Sequence, residues 1–178
     1  TIREPFEISG HRIDIGASIG IAMAPHDGVD VDELLKKADM ALYAAKSLGG
    51  GGHRFFAMDM EDAAQERRAL ELDLREAIAL DQFDLHYQPL VDLHTGRITS
   101  CEALMRWSHP IRGNLPPSVF IPVAEETGLI IALGEWALNR ACADASSWPR
   151  DVRVAVNLSP VQFRDQGLGL QVVAALAK

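Results

Sequence analysis

The 178-residue chain predicts a mixed α/β protein whose two folded pieces are joined by a long helix. Three observations carry that reading. Short apolar runs with strand period alternate with helical stripes on both sides of a charge-rich middle segment. The segment from Asp59 to Asp81 contains no Gly or Pro and is dominated by Ala, Leu, Glu and Arg, all good helix formers. A composition of 48% apolar and 24% charged residues is that of a chain able to bury a core, which excludes disorder.

In order along the chain, Ile13, Ile15, Ala17, Ile19 and Ile21 alternate with Asp14, Gly16, Ser18 and Gly20, which predicts a half-buried strand from Arg12 to Ala22. A turn follows at Pro25-His26-Asp27-Gly28. Asp30 and Glu33 have the spacing of a capping box, and Val31, Leu34, Leu35, Ala38, Leu42 and Ala45 form an apolar stripe that stops at Gly49-Gly50-Gly51-Gly52. Arg54-Phe55-Phe56 reads as a short strand returning to the sheet. In the middle segment Leu70, Leu74 and Ala77 share one helix face, and Glu71 with Arg75 is a favourable i, i+4 pair. A mostly solvated connecting helix over residues 59–81 is the expectation.

Beyond it, Phe83, Leu85 and Tyr87 alternate with Asp84, His86 and Gln88 until Pro89 interrupts, and His94-Thr95-Gly96 turns into a second strand from Arg97 to about Leu104. The run then passes into what reads as a polar loop. Pro116-Pro117-Ser118 caps a helix reaching Thr127, Gly128 closes it, and Leu133 to Ser147 reads as a longer helix ended by Trp148-Pro149. Val152, Val154 and Val156 make a third strand that ends at Asn157-Leu158-Ser159-Pro160. The chain starts at Thr1 rather than Met and ends at Lys178 inside an apolar, helix-like run, so it reads as a piece of something longer.

Charge narrows the partners. Seventeen basic against 25 acidic side chains give a net −8, which argues against a nucleic-acid polymer, because binding a phosphate backbone requires clustered Lys and Arg. The excess is local. Residues 59–81 hold eight acidic and three basic side chains, whereas 1–58 hold eight and six and 82–178 hold nine and eight. The acidity therefore belongs to the connector and leaves a small anionic ligand open. Cys101 and Cys142 offer neither a disulfide framework nor a CxxC metal site, so a reducing cytoplasm is the default location. No run approaches the roughly 18 apolar residues of a membrane span; any membrane tether of the parent would lie upstream.

Four residues stand where strands end. Glu102 is a carboxylate in an apolar run, a position such groups seldom occupy without a partner. Spacing alone favours an ion pair with Arg106; the alternative is a hard oxygen ligand for Mg²⁺ or Mn²⁺, with Arg106 offering a planar fork to a phosphate. Asn157, after a Val-rich strand and before Pro160, is in such a place most often a turn or cap former; the alternative is an amide-oxygen ligand for a divalent cation. Gln88 could hydrogen-bond a base edge or a phosphate, and in isolation is only a polar residue beside a Pro.

Together, Phe83-Asp84-Leu85-His86-Tyr87-Gln88-Pro89-Leu90-Val91, Glu102-Ala103-Leu104-Met105-Arg106-Trp107, Pro117-Ser118-Val119-Phe120-Ile121-Pro122 with Glu125-Glu126-Thr127-Gly128-Leu129-Ile130, and Val154-Ala155-Val156-Asn157-Leu158-Ser159 resemble the start of the EAL domain family, the bacterial cyclic di-GMP phosphodiesterases. Ser18-Ile19-Gly20-Ile21-Ala22 and Ala38-Asp39-Met40-Ala41-Leu42-Tyr43-Ala44-Ala45-Lys46 resemble the C-terminal part of a GGDEF domain, the adenylyl cyclase-like α/β fold of diguanylate cyclases. The resemblance implies residues 1–58 from a GGDEF domain, a connecting helix over 59–81, and residues 82–178 as the first part of an EAL TIM-like (β/α)₈ barrel. It implies Glu102 and Asn157 as ligands of a catalytic Mg²⁺ or Mn²⁺, Arg106 as a phosphate contact and Gln88 as a ligand-side contact. The implied reaction is hydrolysis of cyclic di-GMP to pGpG. On the GGDEF side, Lys46 matches a Lys that contacts GTP, although a Lys near a helix end is also a plain dipole partner. Gly49-Gly50 stands where a Gly-Arg pair is usual, which removes one phosphate contact. The resemblance also allows a homodimer through EAL domains.

The family's further Glu, Asp-Asp pair, Lys and later Glu would lie downstream, and a complete barrel takes about 250 residues. Both domains are therefore expected to be truncated, and the chain by itself to aggregate or stay molten and to lack activity. Two other functions fit: a non-catalytic receptor for cyclic di-GMP or GTP, and a diguanylate cyclase regulated by its EAL part.

Overall fold

A computed structural model describes residues 5–47, 49–164 and 167–177, so the terminal residues Thr1 and Lys178 lie outside the described residues. The chain divides into two compact units, Thr1–Arg68 and Ala69–Lys178.

In the first unit the predicted strand from Arg12 to Ala22 is broken. β1 (Phe6–Ile8) and β2 (His11–Ile13) form a small antiparallel hairpin, and β3 (Ile19–Ile21) is a separate strand. Ser9 and Gly10 turn the hairpin with positive φ, a local pairing that alternation of Ile residues does not reveal. The first helix is as expected: α1 (Val31–Ser47) begins where the Glu33 N–H donates to Asp30 Oδ1 at 3.0 Å. Only that half of the capping box forms, because Lys37 donates instead to Glu33 Oε1 at 2.7 Å. β3 pairs in parallel with β4 (His53–Phe55). Gly20 is required in β3, since a Cβ there would collide with the Ala38 carbonyl oxygen and the Leu42 amide of α1.

α2 (Met58–Ala79) forms where a helix over residues 59–81 is expected, and Glu71 and Arg75 pair across one of its turns at 2.9 Å. Its buried residues are Leu70, Leu74 and Ala77. They join Phe83, Trp107, Phe120, Val123 and Leu133 in the main core of the second unit. Leu74, Trp107, Phe120 and Leu133 are fully buried, each contributing about 1.5–3 kcal/mol of hydrophobic stabilisation. His109, 5% exposed, anchors the helix. Its Nδ1 accepts the N–H groups of Ile111 and Arg112, both at 3.1 Å, so its Nε2 carries the hydrogen donated to Asp73 Oδ2 at 3.0 Å.

The sheet of the second unit has four strands rather than three. β5 (Phe83–Val91) runs antiparallel to β6 (Ile98–His109), which pairs with β7 (Gly113–Leu115) and, in parallel, with β8 (Arg153–Val156). Two expectations are corrected. Pro89 does not end β5, which continues to Val91. Among the described residues β5 pairs only with β6, and an edge strand tolerates a residue that cannot donate. β6 continues past Leu104 because Met105-Arg106-Trp107 keeps the strand alternation and seats Trp107 in the core. α3 (Pro117–Thr127) ends at Gly128, φ 76°, as expected. α4 (Ile130–Ala145) starts about a turn earlier than predicted, since Ile130 is itself a core residue. After β8 come a 3₁₀ turn (Gln162–Arg164) and α5 (Leu168–Leu176).

A candidate divalent cation and phosphate site

Strand alternation separates two faces of this sheet. Phe83 and Leu85 of β5, and Ala103 and Trp107 of β6, are buried against α3 and α4. Gln88 on β5 and Glu102 and Arg106 on β6 have the opposite parity and belong to the other face. Register aligns them: Gln88 lies opposite Glu102, and Glu102 lies beside Ala155 of β8. Asn157 follows two residues after Ala155, just past the strand end, and is exposed.

There the Asn157 Nδ2 donates to Glu102 Oε1 at 2.6 Å, across 55 residues of sequence. Arg106 does not pair with Glu102. Its Nη1 donates to the Met105 carbonyl at 2.9 Å, so the ion pair that spacing favoured is not formed. Rotating the Asn157 amide about its last bond exchanges nitrogen for oxygen and brings a second oxygen beside the carboxylate. Mg²⁺ with ligands at 2.0–2.1 Å separates adjacent octahedral oxygens by about 2.9 Å, so the pair fits one edge of a divalent-cation shell. Among the described residues, no group of three His, Cys, Asp or Glu side chains converges. The remaining ligands would be water, substrate or residues beyond this chain. Lys46 belongs to the other unit, exposed in the last turn of α1.

Behind Asn157 lies a cavity of about 250 Å³ whose lining includes Met105, Ile121, Glu125, Val156 and Gln162. Ser159 Oγ donates to Glu125 Oε1 at 2.6 Å, and the Ser159 N–H donates to Gln162 Oε1 at 2.9 Å. In the sequence Glu125 and Ser159 stand inside longer stretches of recognisable order, and neither position by itself announces a role. Thirty-four residues separate them, and no periodicity links them.

The EAL domain family matches residues 71–178, and the diguanylate cyclase GGDEF domain family matches residues 1–51. The chain belongs to the EAL domain family, preceded by a GGDEF segment. It is 45% identical over 181 residues to the bifunctional diguanylate cyclase/cyclic di-GMP phosphodiesterase MucR of Pseudomonas aeruginosa, a match covering 99% of this chain and 26% of that protein. It is 40% identical over 169 residues to the cyclic di-GMP phosphodiesterase PdeR of Escherichia coli, covering 93% of this chain and 25% of the relative. Among solved structures, the P. aeruginosa MucR phosphodiesterase in complex with c-di-GMP superposes with a TM-score of 0.58 at 43% identity, over 61% of this chain and 46% of that one. The chain thus spans about a quarter of these curated relatives, and its open four-stranded sheet corresponds to part of a TIM-like EAL barrel. EAL domains generally depend on divalent metals. Among the described residues no helix is long and apolar enough to cross a membrane.

Proposed function

We propose that the EAL part of this chain belongs to a metal-dependent phosphodiesterase that hydrolyses cyclic di-GMP to pGpG in the bacterial cytoplasm. The observation that carries the reading is the convergence of Glu102 and Asn157 at 2.6 Å on the exposed face of the sheet. Support comes from relatives named as cyclic di-GMP phosphodiesterases and from a likeness to an EAL domain bound to c-di-GMP.

In this reading Glu102 and Asn157 hold Mg²⁺ or Mn²⁺ and neither is the general base. A bound divalent ion supplies a water nucleophilic at neutral pH and compensates charge on the phosphoryl oxygens. Arg106, half-buried on the same face as Glu102, swings its guanidinium from the Met105 carbonyl to a phosphate and offers two parallel donors. Gln88, level with Glu102 in the adjacent strand, orients the ligand by hydrogen bonds. On the GGDEF side, Lys46 is a weaker contact for GTP, because position 50 carries Gly at φ 71° and contributes no guanidinium. Association through EAL domains as a homodimer belongs to the same reading.

The test is turnover by the full-length protein carrying these residues. Mg²⁺ or Mn²⁺ should support conversion of cyclic di-GMP to pGpG, and Glu102→Ala should abolish it. Unchanged turnover in that variant would overturn the ligand assignment, and tight binding of cyclic di-GMP without turnover in the wild type would make the protein a receptor.

A further inference from the structure

Resting on that reading of the site, we infer that Glu125 is a positioning residue that sets Asn157 against Glu102 through Ser159 and Gln162. Asn157 sits on exposed chain beyond β8, where its own backbone would leave it many orientations. Two residues later the chain is held firmly. Ser159 is 9% exposed and Gln162 3% exposed. Ser159 Oγ donates to Glu125 Oε1 at 2.6 Å and accepts the Val161 N–H at 3.2 Å. The Ser159 N–H donates to Gln162 Oε1 at 2.9 Å, and the Gln162 N–H donates to the Ser159 carbonyl at 3.0 Å. Every polar group of Ser159 thus has a partner.

Glu125 lies on α3, one turn before the Gly128 cap, and α3 is fixed to the core by Phe120, Val123 and Ala124. The loop is therefore tied to a rigid helix by a carboxylate that only accepts hydrogen bonds. Gln162 is packed from behind by α4, where Gly134 leaves no room for a Cβ beside the Gln162 amide. That amide must present Oε1 to the Ser159 N–H, since the reversed amide would oppose two donors. Its Nε2 has no partner among the described residues, so the loop geometry is kept at the cost of an unmet amide NH₂ group. Only Leu158 lies between this clamp and Asn157. Groups that orient a metal ligand commonly change metal affinity 10–100-fold when removed.

The experiment measures Mn²⁺ affinity of the full-length protein directly, by the electron paramagnetic resonance signal of unbound Mn²⁺, alongside the melting temperature of the metal-free protein. Glu125→Ala and Ser159→Ala should each weaken Mn²⁺ binding by about 10–100-fold. Glu125→Gln, which keeps an acceptor oxygen on α3, should stay within about threefold of wild type. If Glu125→Ala fails to fold, Ser159→Ala carries the comparison, because it removes the link and leaves α3 intact. Unchanged Mn²⁺ affinity in folded Ser159→Ala, or equal losses in Glu125→Gln and Glu125→Ala, would overturn the inference. A wild type that bound Mn²⁺ with the predicted variant pattern but left cyclic di-GMP intact would uphold the clamp and defeat only the phosphodiesterase reading. A wild type that bound no Mn²⁺ would defeat both.

Discussion

Arg106 shows how much one side chain's surroundings decide. One of its donors reaches the Met105 main-chain carbonyl at 2.9 Å and none reaches Glu102, so the guanidinium is available to a phosphate at the cost of one bond to an uncharged acceptor. Arg106→Ala should therefore raise the KM for cyclic di-GMP by about 10–100-fold, the range expected for one or two charge-assisted hydrogen bonds. Mn²⁺ affinity should stay within about threefold. Steady-state kinetics with a parallel Mn²⁺ titration checks this; an unchanged KM, or a loss confined to metal affinity, would contradict it. Glu102, Arg106, Asn157 and Gln88 were legible because each stands in a stretch of recognisable order, and strand parity then places them on one face. Glu125, Ser159 and Gln162 were not legible as a unit, since their link is tertiary and closes only when α3 and the β8 loop meet. In the first unit Gly20 reads as an alternating strand residue, whereas its role is to admit the backbone of α1. Gly20→Ala should cost about 1–3 kcal/mol through overpacking, seen as a lowered denaturation midpoint in urea; an unchanged midpoint would refute the close approach.

At the level of elements, helices proved easier to read than strand ends. α1 carries a cap and an apolar stripe, α2 a stripe, and α3 a proline start and a glycine stop in their own sequence. β6 reads as finished at about Leu104, where the run passes into a polar stretch, and only packing against Phe83 and Phe120 shows that Trp107 is core. β5 and α4 are joined by a side-chain bond that sequence does not announce: Tyr87 Oη donates to Asp144 Oδ2 at 2.7 Å, and Arg140 Nε donates to the same oxygen at 3.1 Å. The Tyr87 hydroxyl, followed by Arg140, holds the Asp144 carboxyl below its usual range. Burial and then the Asp144 bond hold Tyr87 protonated well above its ordinary value. Because the folded-state value of Asp144 is depressed, its stabilisation is fully present above about pH 4, the value in the unfolded chain, and is lost as pH falls through the folded-state value. Tyr87→Phe should cost about 1 kcal/mol at pH 7, the lower end for a bond to a partly exposed charge, and should flatten the decline in stability below pH 4. Melting curves of the full-length protein between pH 7 and pH 2 decide it; an unaltered acid limb would contradict the assignment.

For the molecule as a whole, the two-unit organisation and the α/β class were readable from alternating patterns and the family stretches, and the charge of −8 lost its force once it was located in the connector. The second unit presents an open sheet in which, among the described residues, β8 pairs only with β6, and Leu170, Val173 and Leu176 of α5 are exposed. Unpaired edges and apolar faces promote association. The 178 residues alone should therefore aggregate and leave cyclic di-GMP intact, and a sharply melting monomer in sedimentation and calorimetry would show otherwise. Under the proposed function, Glu102 and Asn157 form one edge of a divalent-cation site. Direct Mn²⁺ titration of the full-length protein against its Glu102→Gln variant tests it without reference to turnover. Loss of a direct ligand should weaken binding beyond the roughly 100-fold seen when outer groups are removed, whereas equal affinity in the two proteins would contradict the account.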